Sequence, residues 1–134
     1  MKPRQSGFTM IELIVVIVIL GILAATALPK FIDMRGDAQL AAVQGVAGAA
    51  ASAMNLNYSG CAVSNNVVTA NKCVQISACT QVGSLMQGGL PTGYTAAASG
   101  AAIGVTNGNT GVCSMSLAGF ATPVSFTGIA GGNP

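Results

Sequence analysis

Gly7-Phe8-Thr9-Met10-Ile11-Glu12-Leu13 opens an apolar run that continues to Leu28, and the reading of that run decides the fold. Between positions 8 and 28 the only ionisable side chain is Glu12. A helix of that length, at ~1.5 Å per residue, just crosses a bilayer core of ~30 Å. A carboxylate costs roughly 3 kcal/mol at the middle of such a helix and somewhat less near its end. Glu12 lies four residues after Phe8, one helical turn in, so it can reach the start of the helix. An acid kept there points to function.

Upstream, residues 1–7 are short, polar and basic, a leader rather than a structural element. Ala25-Thr26-Ala27 is A-x-A-like, so one alternative is an ordinary secretory signal, cut after Ala27 to release a soluble protein. Its apolar region would exceed the usual ~7–15 residues and would carry a glutamate near its start. A second alternative is an unprocessed membrane anchor. Lys2 and Arg4 before the run place the N-terminus in the cytoplasm by the positive-inside rule, with Lys30 and Arg35 beyond it offset by Asp33 and Asp37. Cys61, Cys73, Cys79 and Cys113 are even in number and all lie beyond the run, as expected for an exported domain in an oxidising compartment.

The motif at 7–13 resembles the type III signal of type IV pilins and the related pseudopilins. Ile17-Val18-Ile19-Leu20-Gly21-Ile22-Leu23-Ala24 and Pro29-Lys30-Phe31 extend the likeness, which is closest to the mannose-sensitive haemagglutinin type of pilin. Met10 stands where the commonest family wording has Leu, a conservative change. The resemblance covers roughly the first 50 residues. It implies cleavage between Gly7 and Phe8 by a prepilin peptidase that also methylates the new amino terminus. It further implies partnership with the inner-membrane pilus assembly machinery, a membrane-held stage and a homo-oligomeric filament. Glu12 would then pair with the amino group of Phe8, in its own chain or in an adjacent subunit, and so set axial register. In several filaments of this family the helix between the positions of Gly21 and Pro29 is stretched or melted, which marks those two residues as points of flexibility.

Composition agrees with dense self-packing. The chain has 134 residues, 51% of them apolar and 6% charged, against ~25% charged in an ordinary soluble domain. Beyond residue 37 the only charged side chain is Lys72, so little like-charge repulsion keeps copies apart. There is no basic patch and no Trp, so a nucleic-acid partner is not indicated. Catalysis lacks raw material: there is no His, and the three acids lie in the apolar run or just beyond it. No phosphate-binding glycine pattern and no C-x-x-C pair occurs, so neither a cofactor nor a metal is expected. The Asn57-Tyr58-Ser59 sequon is a short match of little weight.

The remaining chain predicts an α+β fold: a long N-terminal helix, apolar and then amphipathic, packed on a small antiparallel head with disulfides. The expected divisions are a leader (1–7), a transmembrane or filament-core helix (8–30), an amphipathic half (31–59) and a β-rich head (60–134). If 8–56 is one helix it is ~73 Å long, far more than the head needs for support, so its first half must find lipid or sister helices. Leu40, Val43, Ala47, Ala50 and Met54 recur at helical spacing as one apolar stripe. Gly45, Gly48 and the alanines leave a small-residue face open to close approach. Breakers at 57–60 predict the helix end, and 66–69 with 73–76 reads as a hairpin. A helical turn is expected at 84–89 and an edge strand at 124–127, after Pro123. Strands at 102–106 and 112–117 should flank the turn Asn107-Gly108-Asn109-Thr110-Gly111. Four cysteines allow three pairings, of which Cys61–Cys73 and Cys79–Cys113 are favoured, worth ~2–4 kcal/mol each. By resemblance, the segment bounded by Cys79 and Cys113 is the candidate exposed binding region. The function expected is a structural subunit of a type IV pilus, in adhesion or motility, and not an enzyme. The alternative is a pseudopilin of a type II secretion system.

Overall fold

The computed structural model describes residues 7–134. Lys2 and Arg4 of the expected leader lie outside the described residues, as do the side chains of Pro29, Ile32 and Asp33. The chain forms two compact units, residues 1–37 and 38–134. Helix α1 (Met10–Val63) supplies most of the described first unit and opens the second.

In the first unit α1 is uninterrupted through Gly21 and position 29. Every side chain from Met10 to Leu28 is exposed, and that stretch has a mean hydropathy of 2.8. It is long and apolar enough to cross a membrane. Thr26, its one hydroxyl, bonds back to the carbonyls of Ile22 at 3.3 Å and Leu23 at 3.1 Å, which satisfies the group without water.

In the second unit the same helix becomes one-sided. Val43, Ala47, Ala50 and Met54 are fully buried and Leu40 is half-buried, so the stripe read from the sequence is the core-facing side. Asn57 and Cys61 continue that stripe by one further turn each, both buried. A three-stranded antiparallel sheet in the order β1 (Tyr94–Ala98), β2 (Thr110–Leu117), β3 (Phe120–Ile129) supplies further core residues. Cys113 and Met115 alternate inward from the central strand, with Ala96 and Phe126 from its neighbours. Ile76, Val82 of a short 3₁₀ helix (Cys79–Leu85), Ile103 and Ala130 close the core. An α+β head with two disulfides is therefore what the chain builds.

Several local expectations give way to tertiary contacts. The helix runs to Val63, past the breakers at 57–60, because those residues have tertiary uses. The Asn57 carboxamide donates to the Val74 carbonyl and accepts from the Val74 N–H, both at 2.8 Å. Gly60 lets the Lys72 carbonyl approach so closely that a β-carbon there would overlap it. The helix stops instead at a Schellman turn: Asn65, at φ 52°, is left-handed, and the Asn66 N–H reaches the Cys61 carbonyl at 2.7 Å.

The hairpin expected from 66–69 and 73–76 reduces to a single bridge between Thr69 and Cys73. Residues 73–76 are held elsewhere, by Cys61, Asn57 and a backbone pairing of Ile76 with Gly131. The helical turn lies at Cys79–Leu85 rather than 84–89. The turn at Asn107-Gly108 is present, but residues 102–106 are not a strand, since the Asn109 carboxamide takes the Ile103 carbonyl at 2.6 Å. The strand that pairs with β2 is alanine-rich β1, whose weak intrinsic preference is overridden by the edge that β2 offers. β3 is longer than expected and contains Pro123, placed where β3 carries two extra residues opposite Ser116 and so needs no ladder N–H.

Candidate functional site

The start of α1 is where the chemistry-bearing residues meet. Residues 7–9 are non-helical, and Gly7 and Phe8 are exposed, Phe8 at 88%. Thr9 is the residue before the first helical turn, and Glu12 lies three residues on. The Thr9 N–H and the Thr9 hydroxyl both donate to Glu12 Oε2 at 2.7 Å. In return, the Glu12 N–H donates to Thr9 Oγ1 at 3.3 Å. This is a capping box, which satisfies orphan donors of the first helical turn and brings the negative charge to the positive end of the helix dipole.

The geometry explains how a carboxylate can stand in the apolar run. Glu12 folds back along the helix toward its N-terminus, so the charge sits at the boundary and not at mid-span. Both bonds from Thr9 go to Oε2, which leaves Oε1 for another donor. Phe8, Ile11, Glu12, Val15 and Val16 line an open, nearly apolar groove of about 320 Å³ on this face. Phe8 and Glu12 stand out from the sequence as site residues, and the structure adds Thr9 to them. The signal was legible as Thr9-Met10-Ile11-Glu12, the T-x-x-E spacing of a capping box ahead of an apolar run.

The other predicted residues are dispersed. Gly21 lies exposed within α1 with nothing near its α-carbon on the side a β-carbon would occupy. The cysteines are in the second unit, where Cys61 joins Cys73 with α-carbons 4.5 Å apart and Cys79 joins Cys113 at 5.6 Å. The segment between Cys79 and Cys113 contains the 3₁₀ helix, β1 and the exposed stretch around 99–102.

Residues 2–28 match the prokaryotic N-terminal methylation motif. The N-terminal segment is similar to those of type IV pilins and of a type II secretion core protein. The chain is 52% identical over 50 residues to the type IV narrow pilus major component PilA5 of Thermus thermophilus, covering 37% of this chain and 43% of the relative. It is 55% identical over 40 residues to the type IV major pilin protein PilE1 of Neisseria gonorrhoeae, covering 30% and 24%. It is also 43% identical over 55 residues to the type II secretion system core protein G of Pseudomonas aeruginosa, covering 41% and 39%. The chain thus matches less than half the length of these curated relatives. No solved structure matches it.

Proposed function

We propose that this chain is the structural subunit of a type IV pilus: a prepilin cleaved between Gly7 and Phe8, methylated on Phe8 and assembled through the apolar part of α1. The observation that carries the reading is the fully exposed apolar helix Met10–Leu28, headed by an acid folded back onto its own first turn. Such a surface is stable in lipid, and then against copies of itself. The processing enzyme is a prepilin peptidase and methyltransferase, and export of the subunit from the membrane requires the inner-membrane assembly machinery. The N-terminus starts on the cytoplasmic side, the head folds in the oxidising periplasm, and the assembled product lies outside the cell.

Cleavage creates a charged amine at Phe8, next to the residue that holds Glu12. Oε1 is the free acceptor for that amine, in the same chain or in a neighbour. In a dry helix bundle an unpaired carboxylate is costly, so a subunit out of register is disfavoured. Replacing Glu12 by Val should permit leader removal and lower filament yield about tenfold, a difference of ~1.4 kcal/mol in assembly. Electron microscopy of sheared material, with an immunoblot for the processed chain, reads both; normal yield from Glu12→Val removes the pairing role.

A second reading is favoured by one observation, the 43% identity to a type II secretion core protein. A pseudopilin would be processed in the same way but would form no long filament on the cell surface. Intact mass and N-terminal fragmentation of the protein from its native cells come first. A chain starting at methylated Phe8 supports prepilin processing, and microscopy then separates pilus from pseudopilus. A chain starting at Leu28 overturns the filament reading in favour of a released domain.

A further inference from the structure

Residues 38–134 carry one charged side chain, Lys72, and its backbone is fixed on both sides. The next residue, Cys73, is bonded to Cys61 of α1 and exchanges backbone hydrogen bonds with Thr69 at 2.9 and 3.0 Å. The Lys72 carbonyl itself lies against Gly60. The lysine side chain is exposed and has no ion-pair partner among the described residues. A lysine kept only for solubility would need no such seat. Beside it, Leu56 is 74% exposed and Val63 is 83% exposed, seven residues apart and therefore on one face of α1. Two open grooves, of about 420 and 390 Å³, meet at Leu56, Asn71 and Lys72. The face is thus an apolar ledge with a single fixed cation, lying away from the core stripe that carries Met54.

Resting on the filament reading above, we propose that this face docks a second copy of the chain, with Lys72 paired to Asp37 of the neighbouring copy. Charge complementarity selects the occupant. The chain has three acids: Glu12 is engaged by Thr9, and Asp33 and Asp37 lie just ahead of the head. Asp37 is exposed and has no ion-pair partner among the described residues. Arg35 lies two residues away, close to the opposite side of the helix, whereas Lys30, two turns back, shares the face of Asp37, so pairing with Lys72 adds a second cation to that face. The head has no acidic side chain to pair with Lys72, so in a uniform filament the acidic side chains of α1 in another subunit are the available partners. The pair selects register among nearly uncharged surfaces, while Leu56 and Val63 supply the apolar area.

The test is zero-length carbodiimide coupling of sheared filaments, with crosslinked peptides identified by mass spectrometry. A Lys72–Asp37 amide found in filaments and lost in detergent-dispersed subunits is the expected result. Lys72→Glu and Asp37→Lys should each lower filament yield about tenfold, and the double charge swap should restore most of it. Intact filaments with no Lys72–Asp37 amide overturn the contact, as do single mutants with undiminished yield. Failure of the unmutated chain to form filaments, despite normal expression, overturns the filament reading and this contact with it.

Discussion

The two parts of α1 are the same kind of helix with opposite arrangements of side chains. From Met10 to Leu28 the apolar residues surround the axis and none is buried. From position 40 to 61 the apolar and small residues that matter lie on one stripe, and those at 43, 47, 50, 54 and 61 are at most 2% exposed. The difference teaches where each part finds its partner. A one-sided helix is complete once its own sheet covers it, whereas a helix apolar on every side cannot be completed by any one small domain. The first part is built for surroundings that reach it from all directions, lipid or a bundle of copies.

Three experiments on the full chain in detergent sharpen that contrast. The largest effect should come from removing the link between Cys79 and Cys113. It closes 34 residues, so replacing both by Ser should destabilise the head by about 4 kcal/mol, against about 3 for the pair at 61 and 73. Chemical denaturation followed by tyrosine fluorescence would measure both. Next, Met54→Ala removes a fully buried side chain and should cost about 3 kcal/mol. Ile17→Ala, at 57% exposure, should leave head unfolding within about 0.5 kcal/mol of the parent. Equal shifts for these two would mean that the two parts of α1 do not differ as described. A smaller destabilisation than that of Met54→Ala belongs to Asn57→Ala, which strands the N–H and carbonyl of Val74 and should lower stability by about 2 kcal/mol. Hydrogen exchange should show that loss first at the Val74 amide.

Much of this molecule is legible in local pattern, and the exceptions are instructive. The stripe through Met54, the apolar run and the strand with Cys113 and Met115 depend on periodicity within one element, which a sequence displays directly. The Thr9–Glu12 capping box is equally local, its two residues three positions apart. The expectations that changed all concern residues with two competing uses. Asn57 and Gly60 have the composition of a helix end, yet inside the helix one replaces a strand partner for Val74 and the other admits the Lys72 carbonyl. Residues 66–69 have β-rich side chains, but their intended partner at 73–76 is claimed by the helix and the C-terminal segment.

The sequence by itself determined that a near-uncharged chain begins with an apolar helix carrying an acid at its start, and that an oxidised α+β head follows. Those features need only hydropathy, period and charge, which are additive along the chain. Tertiary structure decided where α1 stops, which strand pairs with β2, and that Lys72 is seated beside Leu56 and Val63 on an open face. Each of those outcomes is a competition between distant segments for the same backbone groups. Such a competition is settled only when the core closes and every buried donor must find an acceptor.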